Sequence, residues 1–211
     1  MAHAIEVTQG FQGKENSVAR SMDRSLIDRL ISWAGAVMAL ALVALGAAAI
    51  YGGSFALDNV KDRLEPQNIA FPPAEAMSPE EKTELGAFAG QKVDTGSEAE
   101  AFSRYIGGHL AEINEGATYS ETSSESRGYA AEVGENPTEA EAAKMAELDG
   151  KVQTLFRGET LRAILLNAYG WWTVGQITFF AGIGMVIAGL ILAVLVAFGF
   201  RHARKAAAST V

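Results

Sequence analysis

Two blocks of the chain contain no Asp, Glu, Lys or Arg: Leu30 to Leu57, and Ala163 to Phe200. Each exceeds the ~20 apolar residues that cross a bilayer core of ~30 Å. A core helix of a soluble protein keeps a polar stripe or stays much shorter, so the length criterion, met twice, selects membrane spans over a soluble core. Only helices and closed barrels satisfy their backbone in lipid, and two isolated spans close no barrel. The expected fold class is therefore an all-α membrane protein, two antiparallel transmembrane helices with a small helical extracytoplasmic domain.

A cleaved leader has an apolar region of ~7–15 residues near the chain start. The first block begins only at Leu30 and runs far longer, which marks a retained anchor, although Ala47 to Ala49 offer the small residues a cleavage site needs. Lys14, Arg20, Arg24 and Arg29 precede the first block, and Arg201, Arg204 and Lys205 follow the second. Basic residues in short flanks favour the cytoplasmic side, so a two-span plasma-membrane protein with both termini cytoplasmic is expected. The intervening segment, Asp58 to Gly170, holds 10 Lys/Arg against 21 Asp/Glu. Its acidity excludes nucleic acid as a partner, since a phosphate-binding surface needs the opposite sign. Cysteine is absent, which removes disulfides, thiolate chemistry and iron–sulfur ligation. The layout that follows is a cytoplasmic N-terminal tail (1–29), a first transmembrane helix (30–56), an acidic helical extracytoplasmic domain (57–170), a second transmembrane helix (171–200) and a basic cytoplasmic tail (201–211).

Within that layout, residues 1 to about 20 show no helical period and read as an irregular tail. Leu57, Val60 and Leu64 extend the first helix outward until Pro66 stops it. Ser78-Pro79-Glu80-Glu81 is a capping box that opens a short helix to about Phe88. Ser97 with Glu100 predicts a second box, ahead of a helix striped by Phe102, Tyr105, Ile106, His109, Leu110 and Ile113. The stretch GATYSETSSESRGYAAEVGEN reads as an exposed loop, and Thr138 with Glu141 starts the longest outer helix, striped by Met145, Leu148, Val152, Leu155 and Phe156. Leu57, Val60 and Leu64 could pack on Met145, Leu148, Val152 and Leu155 as an antiparallel stem.

The second block is too long for one crossing, since at ~1.5 Å per residue it reaches ~57 Å. Counting ~20–25 residues back from Arg201 puts the crossing at about Gln176 to Phe200. Trp171 and Trp172 then fall at the outer interface as anchors, with Trp33 in the same role on the first span. Leu161, Ile164, Leu165, Tyr169 and Trp172, spaced by threes and fours, form an apolar stripe and the first candidate for partner contact. Gly184 and Ala188, four apart, are the second, because small residues at that spacing let helices approach closely.

Taken together, TLFRGETLRAILLNAYGWW, QNI, GQKVDTG and HLAEINEGATYSE resemble a group of two-span actinobacterial membrane proteins, over nearly the whole chain. Members often bear the name of an aromatic ring-opening dioxygenase, and some proteins of this build accompany respiratory supercomplexes. Ring-opening enzymes hold iron through a set of His and carboxylate ligands, whereas the three histidines here, His3, His109 and His202, fall in separate parts of the layout. His109 with Glu112 has a metal-compatible spacing but supplies only two ligands, and its stripe favours a partly buried structural histidine. No GxSxG elbow, P-loop or dinucleotide fingerprint occurs. Neither span carries an ionisable group of the kind a conduction pathway uses.

The expected function is non-enzymatic: an accessory or assembly subunit of a larger membrane complex, with the lipid bilayer and other integral membrane subunits as partners. No catalytic residue, cofactor or metal is expected, and a small-molecule ligand is disfavoured. The resemblance implies the respiratory chain as the setting. The alternative is an envelope protein whose extracytoplasmic domain senses or binds a ligand or metal, with His109 at the site.

Overall fold

A computed structural model describes the backbone of residues 2–208 and the side chains of residues 26–204. Among the described residues five α-helices follow in order: α1 Ala2–Leu64, α2 Pro79–Leu85, α3 Gly96–Ile113, α4 Tyr119–Val133 and α5 Glu139–Ala208. No strand occurs among the described residues, only an isolated bridge between Ala70 and Lys92. The irregular tail expected at the N-terminus is instead helical from Ala2, in a stretch that no proline interrupts before Pro66. The side chains of Lys14, Arg20, Arg24 and Lys205 lie outside the described residues.

Side-chain caps set the starts of the shorter helices. Ser78 and Glu81 form the expected reciprocal box, and Pro79 occupies the first turn, where its missing N–H costs nothing. For α3 the box is Thr95 with Glu98, not Ser97 with Glu100. Ser97 lies inside the helix, and Glu100 is bound by Arg104 at 2.9 Å. Two overlapping capping patterns compete here, and the earlier one wins because Thr95 has extended backbone. The expected loop from Gly116 to Asn136 is also corrected: it contains α4, opened by a box of Thr118 and Glu121. Ser and Thr are weak helix formers, but Thr122 is fully buried, accepts from the Asn114 amide at 2.6 Å and donates to the Thr118 carbonyl at 2.9 Å.

The chain divides into two compact units. The first comprises Met1–Gly52 and Thr178–Val211, the apolar part of α1 with that of α5. Close approach needs small residues, and glycines supply it. A Cβ on Gly182 would lie 2.7 Å from the Gly46 carbonyl, one on Gly189 2.8 Å from Val43, and one on Gly35 2.7 Å from Val196. Gly199 sits over Ser32, and Trp33 meets Phe200 edge to face at 5.8 Å. Only 11% of the most apolar window of either helix is buried, whereas a core helix of a soluble protein is mostly buried. Both helices are long and apolar enough to cross a membrane.

The second unit is Gly53–Ile177. Its core gathers Val60 and Leu64 of α1, Leu85 of α2, Ala99 and Ala101 of α3 and Leu165 of α5 around Phe71. Phe71 stacks on Phe88 at 5.4 Å and meets Phe102 edge to face at 5.1 Å. The connector carrying Phe71 is held by backbone hydrogen bonds from Phe71 to Gln91 and from Val93 to Ile69, both 2.9 Å. The expected stem is corrected. α1 ends at Leu64, and Val60 and Leu64 belong to the core that contains Leu165. The contacts on α5 from Lys144 to Gly158 come from α4 and the end of α3: Lys144 over the Tyr129 ring, Ser126 to Asp149 at 2.7 Å, Tyr119 against Phe156, and Leu110 over Gly158.

Candidate functional site

The uncharged stretch of α5 in the second unit divides its residues between two environments. Leu165 is 4% exposed, and Ala168 and Trp172 pack against the same core. Trp172 reaches it because Gly96 has no side chain: a Cβ there would collide with the indole. The indole Nε1 is buried without a hydrogen-bond partner. Leu165 is therefore not surface for a partner, and Trp172, half-buried, has one side of its ring committed to the core. The expected five-residue stripe fails because the helix must satisfy its own core first. Ile164 and Tyr169, five residues apart, lie about 140° from each other at ~100° per residue.

What remains open is a different set. Ile164 is 59% exposed and Trp171 60%, with Val174 also exposed and Asn167 and Gly170 between them. At spacings of three and four these residues share one side of α5, and a Cβ on Gly170 would meet nothing within 4 Å. Leu161, Leu166 and Tyr169 are exposed too, outside this strip. The register shows how unusual the strip is. Gly175 lies against Gly53, Ala56 and Leu57, so stepping along both helices away from that contact, toward the end of α1, sets α5 from about Trp172 to Leu165 beside α1 from Asp58 to Leu64. At one height α1 presents exposed Asp58, Lys61, Asp62 and Arg63, while α5 presents no charge at all. The sequence hinted at this through the length of the uncharged block, but only the register shows that its N-terminal part stands beside charges.

In the first unit, Gly184 faces open space and Ala188 is exposed, so this pair is outside the seam that Gly182 and Gly189 make with α1. Trp33 is 65% exposed.

His109 is not the part-buried residue expected on its stripe. Its side chain is 48% exposed, its Nε2 lies 3.0 Å from Glu81 Oε1, and its ring meets Tyr105 at 4.4 Å. Glu81 serves two partners, since its other oxygen accepts from the Ser78 amide at 2.7 Å. That amide holds the Glu81 carboxyl below its ordinary value, with His109 adding to the effect. Burial, with the Glu81 charge, pushes Tyr105 up. Glu112 is not part of this arrangement, and among the described residues no group of three or more His, Cys, Asp or Glu could hold a metal ion. The trio ties α2 to α3.

No protein-family model, curated protein or solved structure matches the chain.

Proposed function

We propose that this chain is a non-enzymatic, two-span plasma-membrane protein that serves as an accessory or assembly subunit of a larger membrane complex. Its apolar helices form an antiparallel hairpin in the bilayer, both termini are cytoplasmic, and the acidic helical unit stands outside. The observation that carries the reading is the open strip of Ile164, Asn167, Gly170, Trp171 and Val174 beside the charged turns of α1. Charges at that height place the level in water or among headgroups, so lipid tails do not cover Ile164; another protein does. Gly184 and Ala188 extend the partner-facing residues into the bilayer, where small residues admit a neighbouring helix. The sequence resemblance points to a respiratory complex as that partner.

The test is co-purification from native membranes. Ile164→Ser with Trp171→Ser leaves the core residues Leu165 and Trp172 and the crossing itself untouched. The double variant is expected to insert normally and to lose most of the co-purifying complex. Recovery equal to wild type would show that the strip is not the contact.

A further inference from the structure

The first unit contains a groove of about 390 Å³ between its two helices, lined by Ala36, Ala39 and Val43 on α1 and by Ala193, Ala197 and Phe200 on α5. Its walls are apolar throughout. Each side spans seven residue rises, or ~10 Å of helix, which is less than one leaflet's half of a ~30 Å core. The groove ends beside the basic end of the pair. Arg201 follows Phe200 directly, Arg204 lies one turn further, and Arg29 precedes Trp33 by one turn; all three arginines are exposed, and Asp28 is the one acidic group described at that level.

We infer that this groove seats one acyl chain of an anionic phospholipid, with the lipid phosphate held by Arg201, Arg204 and Arg29. This rests on the membrane reading above. Size selects the occupant. Its ~10 Å length takes a run of several methylenes of one acyl chain laid along it. A helix, a cylinder ~10 Å across, would lie over the open groove with only a ridge of side chains in it, whereas a single acyl chain can lie along its floor. Charge selects the headgroup: three arginines against Asp28 leave a net positive rim at the depth where a lipid phosphate lies, and basic clusters beside transmembrane helices are where anionic headgroups bind. Trp33, edge to face with Phe200, marks the same headgroup level.

The experiment is native mass spectrometry of the full chain from detergent micelles doped with equal phosphatidylglycerol and phosphatidylcholine. Alkaline extraction of membranes is run beside it for every variant. Wild type is expected to retain phosphatidylglycerol at least tenfold over phosphatidylcholine. Arg201→Gln with Arg204→Gln should abolish the preference while leaving lipid retained, and Ala193→Phe, which fills the groove, should abolish retention of both. A chain released by alkaline extraction would sink the membrane reading itself. A chain that stays embedded but shows no preference, or a filled groove that still retains lipid, overturns the lipid site alone. So does a filled groove that loses a co-purifying membrane protein while keeping its lipid, because the groove would then belong to that protein's helix.

Discussion

Single carboxylates decide where several helices begin. Glu81, Glu121 and Glu141 each accept from the backbone N–H of the helix-opening residue, Ser78, Thr118 and Thr138, and that hydrogen bond is the main cause holding each carboxyl below its ordinary range. A depressed value in the folded state means stability that is present above the unfolded value of about 4.3 and lost as pH falls through the folded one. Far-UV circular dichroism of the detergent-solubilised chain should therefore hold steady from pH 8 to about 5 and lose helix below about 4. Glu121→Gln should remove the part of that loss that belongs to α4. A helical signal that begins to fall at pH 6 would point to a different titrating group. Thr118→Ala tests the same cap without a charge. It should weaken α4 by about 1 kcal/mol, read as roughly fivefold faster amide exchange over Tyr119–Val133 with α3 unchanged. By composition this stretch reads as a loop, although the cap stands in it as Thr118-x-x-Glu121. It was hidden by the Ser and Thr content around it, whose low helix propensity is overridden once Thr122 and Ser123 are buried.

At the level of elements, α5 carries glycines of two kinds, told apart only by what surrounds them. Gly182 meets the backbone of Gly46 and Ile50, which cannot yield as a side chain can. Gly182→Ala should cost ~1–3 kcal/mol by forcing the helices apart. Gly184 and Gly170 face open space, so alanine there should leave the isolated chain as stable or stabilise it by up to about 1 kcal/mol. Thermal unfolding in detergent compares the three directly, and equal behaviour at Gly182 and Gly184 would refute the assignment of faces. Larger side chains at Gly170 and Gly184 should instead weaken partner recovery from native membranes. Gly96→Ala belongs with Gly182, since the added methyl strikes the Trp172 indole.

On the scale of the whole molecule, the proposed topology makes a prediction that the composition renders clean. With no native cysteine, each introduced one is unique. In intact cells Ser124→Cys, exposed on α4, should react with a membrane-impermeant maleimide, and His202→Cys should react only after permeabilisation. Labelling of the second without permeabilisation would invert or abolish the proposed hairpin, while leaving the two long apolar helices as they are. The acidic unit has a core of its own around Phe71, so the experiment reports on a folded body and not on a loop between spans.

The sequence by itself determined that two helices are long and apolar enough to cross a bilayer, because that property is a sum along the chain and needs no knowledge of neighbours. It also determined Pro66 as the break after α1 and the caps at Ser78 and Thr138, because these act within four residues. Tertiary structure alone decided which side of α5 is inside. Leu165 and Trp172 look like Ile164 and Trp171 to any reading by residue type. Leu165 is covered and Trp172 partly so because Val60, Leu64 and the core of α3 arrive on their side, and the second two are left open. It likewise decided that Leu148 and Leu155 are buried on a stretch of α5 contacted by α4, since α1 has ended before that height and a helical stripe specifies that a partner is needed without specifying which.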